Sequence, residues 1–124
     1  MSPEEFLKEY ETSTAKHGLD YTLRMIDDEA VYWFSDGTQH VGKEAVVAAI
    51  RHNFEAIKNE KYAINDVKWL IKTDEVAVGI FHDAWSGLVK NLPASGEGRG
   101  SIVIKRYGGS WRITHEHLSK GSHN

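Results

Sequence analysis

EVAVGIFHDAWS, residues 75–86, sorts into two alternating sets. Ala77, Gly79, Phe81, Asp83 and Trp85 fall on one side of an extended chain, and Val76, Val78, Ile80, His82 and Ala84 fall on the other. Both sets are mainly apolar, so the stretch predicts a long strand covered on both faces. The first set also places a carboxylate between two aromatic rings, an expensive position for a lone charge.

Downstream of residue 60 the pattern is strands alone: residues 61–72, 75–88, 99–107 and 110–119. A loop is expected over residues 91–98, and Gly108-Gly109 makes a turn. Gly79, Gly87, Gly98 and Gly100 predict bulges or bends in long, curved strands. Upstream the pattern is mostly helical. Ser2-Pro3-Glu4-Glu5 reads as a helix start with a capping box, Phe6, Tyr10 and Thr14 recur at helical spacing, and Gly18 reads as the stop. A short helix is expected over residues 20–26, with Leu23 and Ile26 inward, and a strand over residues 29–34 (EAVYWF). Residues 35–38 have turn chemistry and residues 39–41 suit a short returning strand. Gly42 then opens a helix over residues 43–58, with Val46, Ile50, Phe54 and Ile57 as its apolar stripe.

Helices first and antiparallel strands afterwards predict an α+β fold with helices on one face of the sheet. The expectation is one domain, residues 1–120, with residues 121–124 as a tail whose His123 has no function. The second sheet face needs a cover, and a homodimer through the sheet is the simplest one.

Composition narrows the function. Eighteen acidic against fifteen basic residues give a net charge of -3, and the basic residues are scattered among acids. No nucleic-acid partner is expected of such a chain. The absence of cysteine excludes disulfides, thiolate nucleophiles and cysteine zinc sites. No apolar run is long enough for a membrane span, and the N-terminus lacks a secretory pattern, so no membrane partner and a cytoplasmic location are expected.

Three segments carry a family likeness. Residues 31–37 (VYWFSDG) followed by 41–45 (VGKEA), the run RGSIVI at 99–104, and WRITHEHLS at 111–119 resemble SnoaL-like domains of the nuclear transport factor 2-like superfamily. The last segment is also similar to the ending of the calcium/calmodulin-dependent protein kinase II association domain. The resemblance implies a cone-shaped fold, a curved mixed or antiparallel sheet wrapped round a helix, a pocket at the wide end and a dimer through the sheet. It does not imply one activity.

Asp83 and His117 are the candidate proton-transfer residues. Burial among aromatics would raise the Asp83 pKa toward a useful range, and histidine titrates near neutrality. The alternative for Asp83 is an ion pair with Arg99. His115 and His117 share a strand face with Trp111 and Ile113, which is expected to point inward; the alternative is that both are hydrogen-bonded structural groups. Trp33, Trp85 and Phe54 are candidate walls for an apolar substrate, with His115 beside them, and Arg99 is a candidate anchor for an anionic group. The histidines show no three-ligand spacing, so neither metal nor cofactor is expected. Two functions remain open: a cofactor-free isomerase, dehydratase or cyclase acting on a small, mostly apolar carbonyl compound, and a non-catalytic ligand-binding or oligomerisation module.

Overall fold

The computed structural model describes residues 1–121; His123 lies outside the described residues. Its elements run α1 (Pro3–Ala15), α2 (Leu19–Arg24), β1 (Ile26–Trp33), β2 (Gln39–Val41), α3 (Lys43–Ala56), β3 (Lys58–Lys72), β4 (Val76–Val89), β5 (Leu92–Tyr107) and β6 (Ser110–Lys120). The fold is α+β. Six strands form one open mixed sheet in the order β2-β1-β6-β5-β4-β3, in which only the β1–β6 pair is parallel.

The capping box forms as the sequence predicts. The Glu5 amide donates to Ser2 Oγ at 3.1 Å, and the Ser2 amide donates to Glu5 Oε1 at 2.9 Å. Phe6, Leu7 and Tyr10 of α1 and Val46 and Ile50 of α3 meet Ile26, Phe81, Ile102, Ile104, Trp111 and Ile113 of the sheet in one core. The curvature is visible in what α1 reaches. Tyr10 Oη lies 3.1 Å from Tyr32 Oη on β1, and the Ile64 amide on β3 donates to Glu11 at 2.6 Å. These strands stand four places apart, about 19 Å in a flat sheet. Consecutive residues of one helix touch both because the sheet curls around it.

Several boundaries differ from the sequence reading. The second helix ends before Ile26, which is fully buried as the first residue of β1. The third helix stops at Ala56, because Ile57 turns extended and β3 begins at Lys58. The loop expected over residues 91–98 is strand instead. Lys90 and Asn91 both take positive φ (53° and 65°), the signature of a two-residue hairpin turn, and β5 pairs with β4 from Leu92 onward.

The β5 glycines also act differently from the expected bulges. The β4–β5 register is unbroken from Val76↔Lys105 to Val89↔Leu92. Gly96, Gly98 and Gly100 alternate along the inner face opposite Trp85, Asp83 and Phe81, and the absent side chains leave room for these three to cross β5. The expectation holds on β4, where two of the three β3–β4 register breaks fall at Gly79 and Gly87; one more break lies between β5 and β6 at Val103/Ile104, and one between β1 and β6.

A Cβ at Gly98 would stand 2.4 Å from the Ser119 carbonyl oxygen, which the β5–β6 ladder holds in place. Gly98→Ala is therefore expected to cost about 2 kcal/mol or more in urea unfolding. Gly109→Ala has no atom within 4 Å of its new methyl and should change stability by less than about 0.5 kcal/mol.

Candidate functional site

The inner face of the sheet is not filled to its end. A cavity of about 580 Å³ lies between α1, α3 and strands β3 to β6, a size that suits a small molecule. Its ionisable lining is mostly carboxylic, with Lys120 at its edge, and two of the carboxyls come with tyrosines. Glu116 on β6 is 3% exposed, its Oε2 has no hydrogen-bond partner, and the Tyr10 hydroxyl stands close enough to favour its charged form. Tyr10 in turn bonds Tyr32. Burial pushes the Glu116 carboxyl up to about 8, with Tyr10 pulling it back and the Asp83 charge adding to the rise. Glu116 is thus mainly a neutral acid at pH 7, with an unpaired buried oxygen at the edge of the cavity.

Asp83 projects from β4, where Ile64 and Gly98 are its register partners. Tyr62 Oη donates to Asp83 Oδ2 at 3.2 Å. Burial raises the Asp83 pKa, and the Tyr62 bond offsets part of that rise. Tyr10, Tyr32 and Tyr62 are all pushed well above the ordinary phenol value, first by burial and then by the Glu116 charge, so they stay protonated and serve as donors. Toward β3, Glu60 holds His17 Nε2 at 2.6 Å through Oε1, and the His17 ring stacks on Phe54 with centroids 4.3 Å apart. Burial raises the Glu60 pKa and His17 moderates it. Among the described residues no group of three or more His, Asp or Glu side chains is placed to hold a metal ion.

The structure brings Asp83, Trp85 and Phe54 to this cavity. The remaining sequence candidates lie elsewhere. Trp33, His115 and His117 cluster on the outer face, where the indole sits edge-on to both imidazoles at 5.0 and 5.1 Å. His115 Nδ1 is also bonded to the Val31 carbonyl at 2.6 Å. Arg99 is exposed beside His82 and Ser119, on the opposite side of the sheet from Asp83, so the alternative Asp83–Arg99 ion pair does not form.

The inward face assigned to the histidines fails at one residue. Ile113 pairs with Ile104 but His115 pairs with Val103, so Thr114 is an extra residue in β6. Such a bulge shifts the alternation by one. Trp111 and Ile113 face in before it, and Glu116 and Leu118 face in after it, while the histidines face out. Glu116 was therefore missed. The sequence signal that could have found it is an acid in a strand otherwise rich in core residues.

Residues 4–121 match the SnoaL-like domain family. Three solved structures illustrate the fold. A protein from Novosphingobium aromaticivorans assigned as a scytalone dehydratase superposes with a TM-score of 0.86 at 8% identity, covering 98% of this chain and 83% of that one. A type 2 hexachlorocyclohexane dehydrochlorinase gives 0.83 at 10% identity, covering 98% and 84%. A protein from Xanthomonas campestris assigned as a calcium/calmodulin-dependent protein kinase II association domain gives 0.81 at 16%, covering 95% and 84%. At these identities the likeness establishes the fold alone. No curated protein matches the chain significantly by sequence.

The state of Glu116 is measurable through folding. Its folded pKa is raised above the unfolded value, so its contribution is complete below about pH 4.5 and is lost as pH rises toward 8. Glu116→Gln has nothing to titrate there. In urea unfolding across pH 5–8, wild type is expected to lose stability relative to the variant by about 1.4 kcal/mol per pH unit in the steepest part. A constant difference would mean that Glu116 is ionised in the folded protein.

Proposed function

The chain belongs to the SnoaL-like domain family, and from that premise we propose that its cavity binds a small, mostly apolar carbonyl compound and moves a proton on it without a cofactor. The observation that carries this reading is the pairing of two unlike carboxyls in one cavity. Glu116 is neutral with an unpartnered oxygen, and Asp83 is less buried and held by a single phenol. Carboxyls whose surroundings separate their pKa values can divide acid and base roles.

In this reading Asp83 takes a proton from the carbon next to the carbonyl. Charge then develops on the carbonyl oxygen. Glu116 donates a hydrogen bond to that oxygen through Oε2, and Tyr10 and Tyr32 hold Glu116 in place. Trp85 and Phe54 flank the apolar body, and the enclosing walls keep water from the developing charge. Return of the proton to another carbon gives an isomerase; loss of a neighbouring leaving group gives a lyase. The non-catalytic alternative keeps the same cavity as a binding site only.

A second copy of the chain against the outer sheet face belongs to the same reading. Val41, Ile71 and Ile80 stand exposed there by 61%, 52% and 37%, and Trp33 on the same face by 42%. Among the described residues no element packs over that face in the way α1 and α3 cover the inner one. An apolar sheet face of this kind suits a self-complementary partner.

Two measurements test the proposal. Small ketones in D₂O, followed by NMR, should exchange their α-hydrogens faster with the protein than without it. Asp83→Asn should slow that exchange by roughly 10²–10⁴-fold, and the rate should fall above about pH 8 as Glu116 ionises. A panel that shows no acceleration, or an Asp83→Asn variant at full rate, removes the catalytic reading. For the dimer, light scattering should give twice the chain mass for wild type and the single-chain mass for Ile80→Glu. A wild type at the single-chain mass ends that part of the proposal.

A further inference from the structure

The charge of the cavity lining is one-sided. Asp36, Glu60 and Asp83 bring carboxylates to it and Glu116 a neutral carboxyl, while Glu97 borders it from the outer side of β5; Lys120 is the lysine among the lining residues, and His17 stands behind Glu60. The imbalance is greatest where water is scarce. The Glu60 side chain is only 7% exposed, and Asp83 lies deeper than the exposed Asp36 and Lys120. Asp83 has a neutral phenol for its hydrogen-bond partner, not a cation. Glu116 supplies a separate sign that a ligand completes this site, because this 97%-buried residue borders the cavity and its Oε2 has no hydrogen-bond partner.

We propose that the ligand carries a positive charge: a small aryl ketone or similar flat compound bearing an amine that is protonated at neutral pH, with its ammonium against Glu60 and its carbonyl toward Glu116. The assignment rests on the small-molecule reading above and adds the charge of the substrate. An anionic ligand would enter a low-dielectric space among carboxylates with no arginine facing it, since Arg99 lies on the outer face. A cation meets the opposite field, strengthened by the concave walls. Glu60 suits the role. Its bond to His17 uses Oε1, which leaves Oε2 for the ligand, and the His17–Phe54 stack fixes the carboxylate in place. Trp85 on the neighbouring strand lines the same cavity and adds an aromatic ring, a group that attracts cations.

Three aryl methyl ketones of matched shape decide the matter, carrying a para aminomethyl, hydroxymethyl or carboxylate group. Their affinities are measured by calorimetry at pH 7 in low and high salt. The ammonium compound should bind at least tenfold tighter than the neutral one, and the carboxylate weakest of all. Added salt should shrink the spread. Glu60→Gln should bring the ammonium compound down to the affinity of the neutral one, with circular dichroism and the urea midpoint showing that the variant is folded. A neutral compound that binds as tightly as the ammonium compound overturns the charge assignment and leaves the pocket reading standing. An ammonium preference that survives Glu60→Gln overturns the assignment to Glu60. If none of the three binds, the ketone-pocket reading falls and this inference falls with it.

Discussion

The backbone of β6 carries Thr114 as an extra residue between Ile113, which pairs with Ile104, and His115, which pairs with Val103. That irregularity fixes what the cavity contains. Without it, the side of the strand that begins with Trp111 and Ile113 would continue into the two histidines, and Glu116 would face out. With it, the strand supplies core residues at its start and a carboxyl at the inner end of its course. β1 follows β6 through a matching irregularity, with Ile26 beside Ile113 and Val31 beside His115, so Tyr32 arrives on the inner face near Glu116 while Trp33 goes outside with the histidines. One local departure from regular pleating thus sorts two strands' worth of polar groups onto two faces with different tasks.

The energetics of Glu116 follow from that placement. An ionised carboxylate in such a position would keep little of its hydration, and no cation stands beside it to compensate. Taking up a proton is the cheaper solution, and the pKa of about 8 expresses it. The tyrosines fit the same logic. A phenol can donate to a carboxyl without adding a charge, and burial keeps all three protonated. Asp83 faces a milder version of the same problem at the more open end, so its rise is smaller and the two acids differ in character. A pair of carboxyls on one strand face would lack this difference; it arises because they come from β4 and β6 at different depths.

Much of the fold was legible because local chemistry and global packing agree. Ser2 and Glu5 spell a capping box that forms, and Val46 and Ile50 mark the buried side of α3. The alternation in residues 75–86 separates the inner and outer faces of β4 correctly, which is why Asp83 and Trp85 could be picked for the cavity. What was not legible depends on pairing. A bulge is a relation between two strands, and nothing in WRITHEHLS marks Thr114 as the unpaired residue. Lys90-Asn91 lacks the glycine that usually announces a two-residue hairpin, so the glycines after it read as a loop. Their real function is visible only with β4 alongside, where each lies under a large side chain.

The last question is whether the cavity is a remnant. A void costs the packing that would otherwise fill it, and a buried, half-satisfied carboxyl adds to the cost. Both could be removed by small changes: larger apolar residues at positions around Leu118, and an apolar residue in place of Glu116. The chain instead keeps Gly96 and Gly98 opposite Trp85 and Asp83, so that these side chains can stand over β5 beside the space and not on its outside. It also keeps a tyrosine against Asp83 and another near Glu116. A passive void needs none of these arrangements. Local choices that lower stability and agree with one another at a single place are the pattern expected of a site maintained for a ligand.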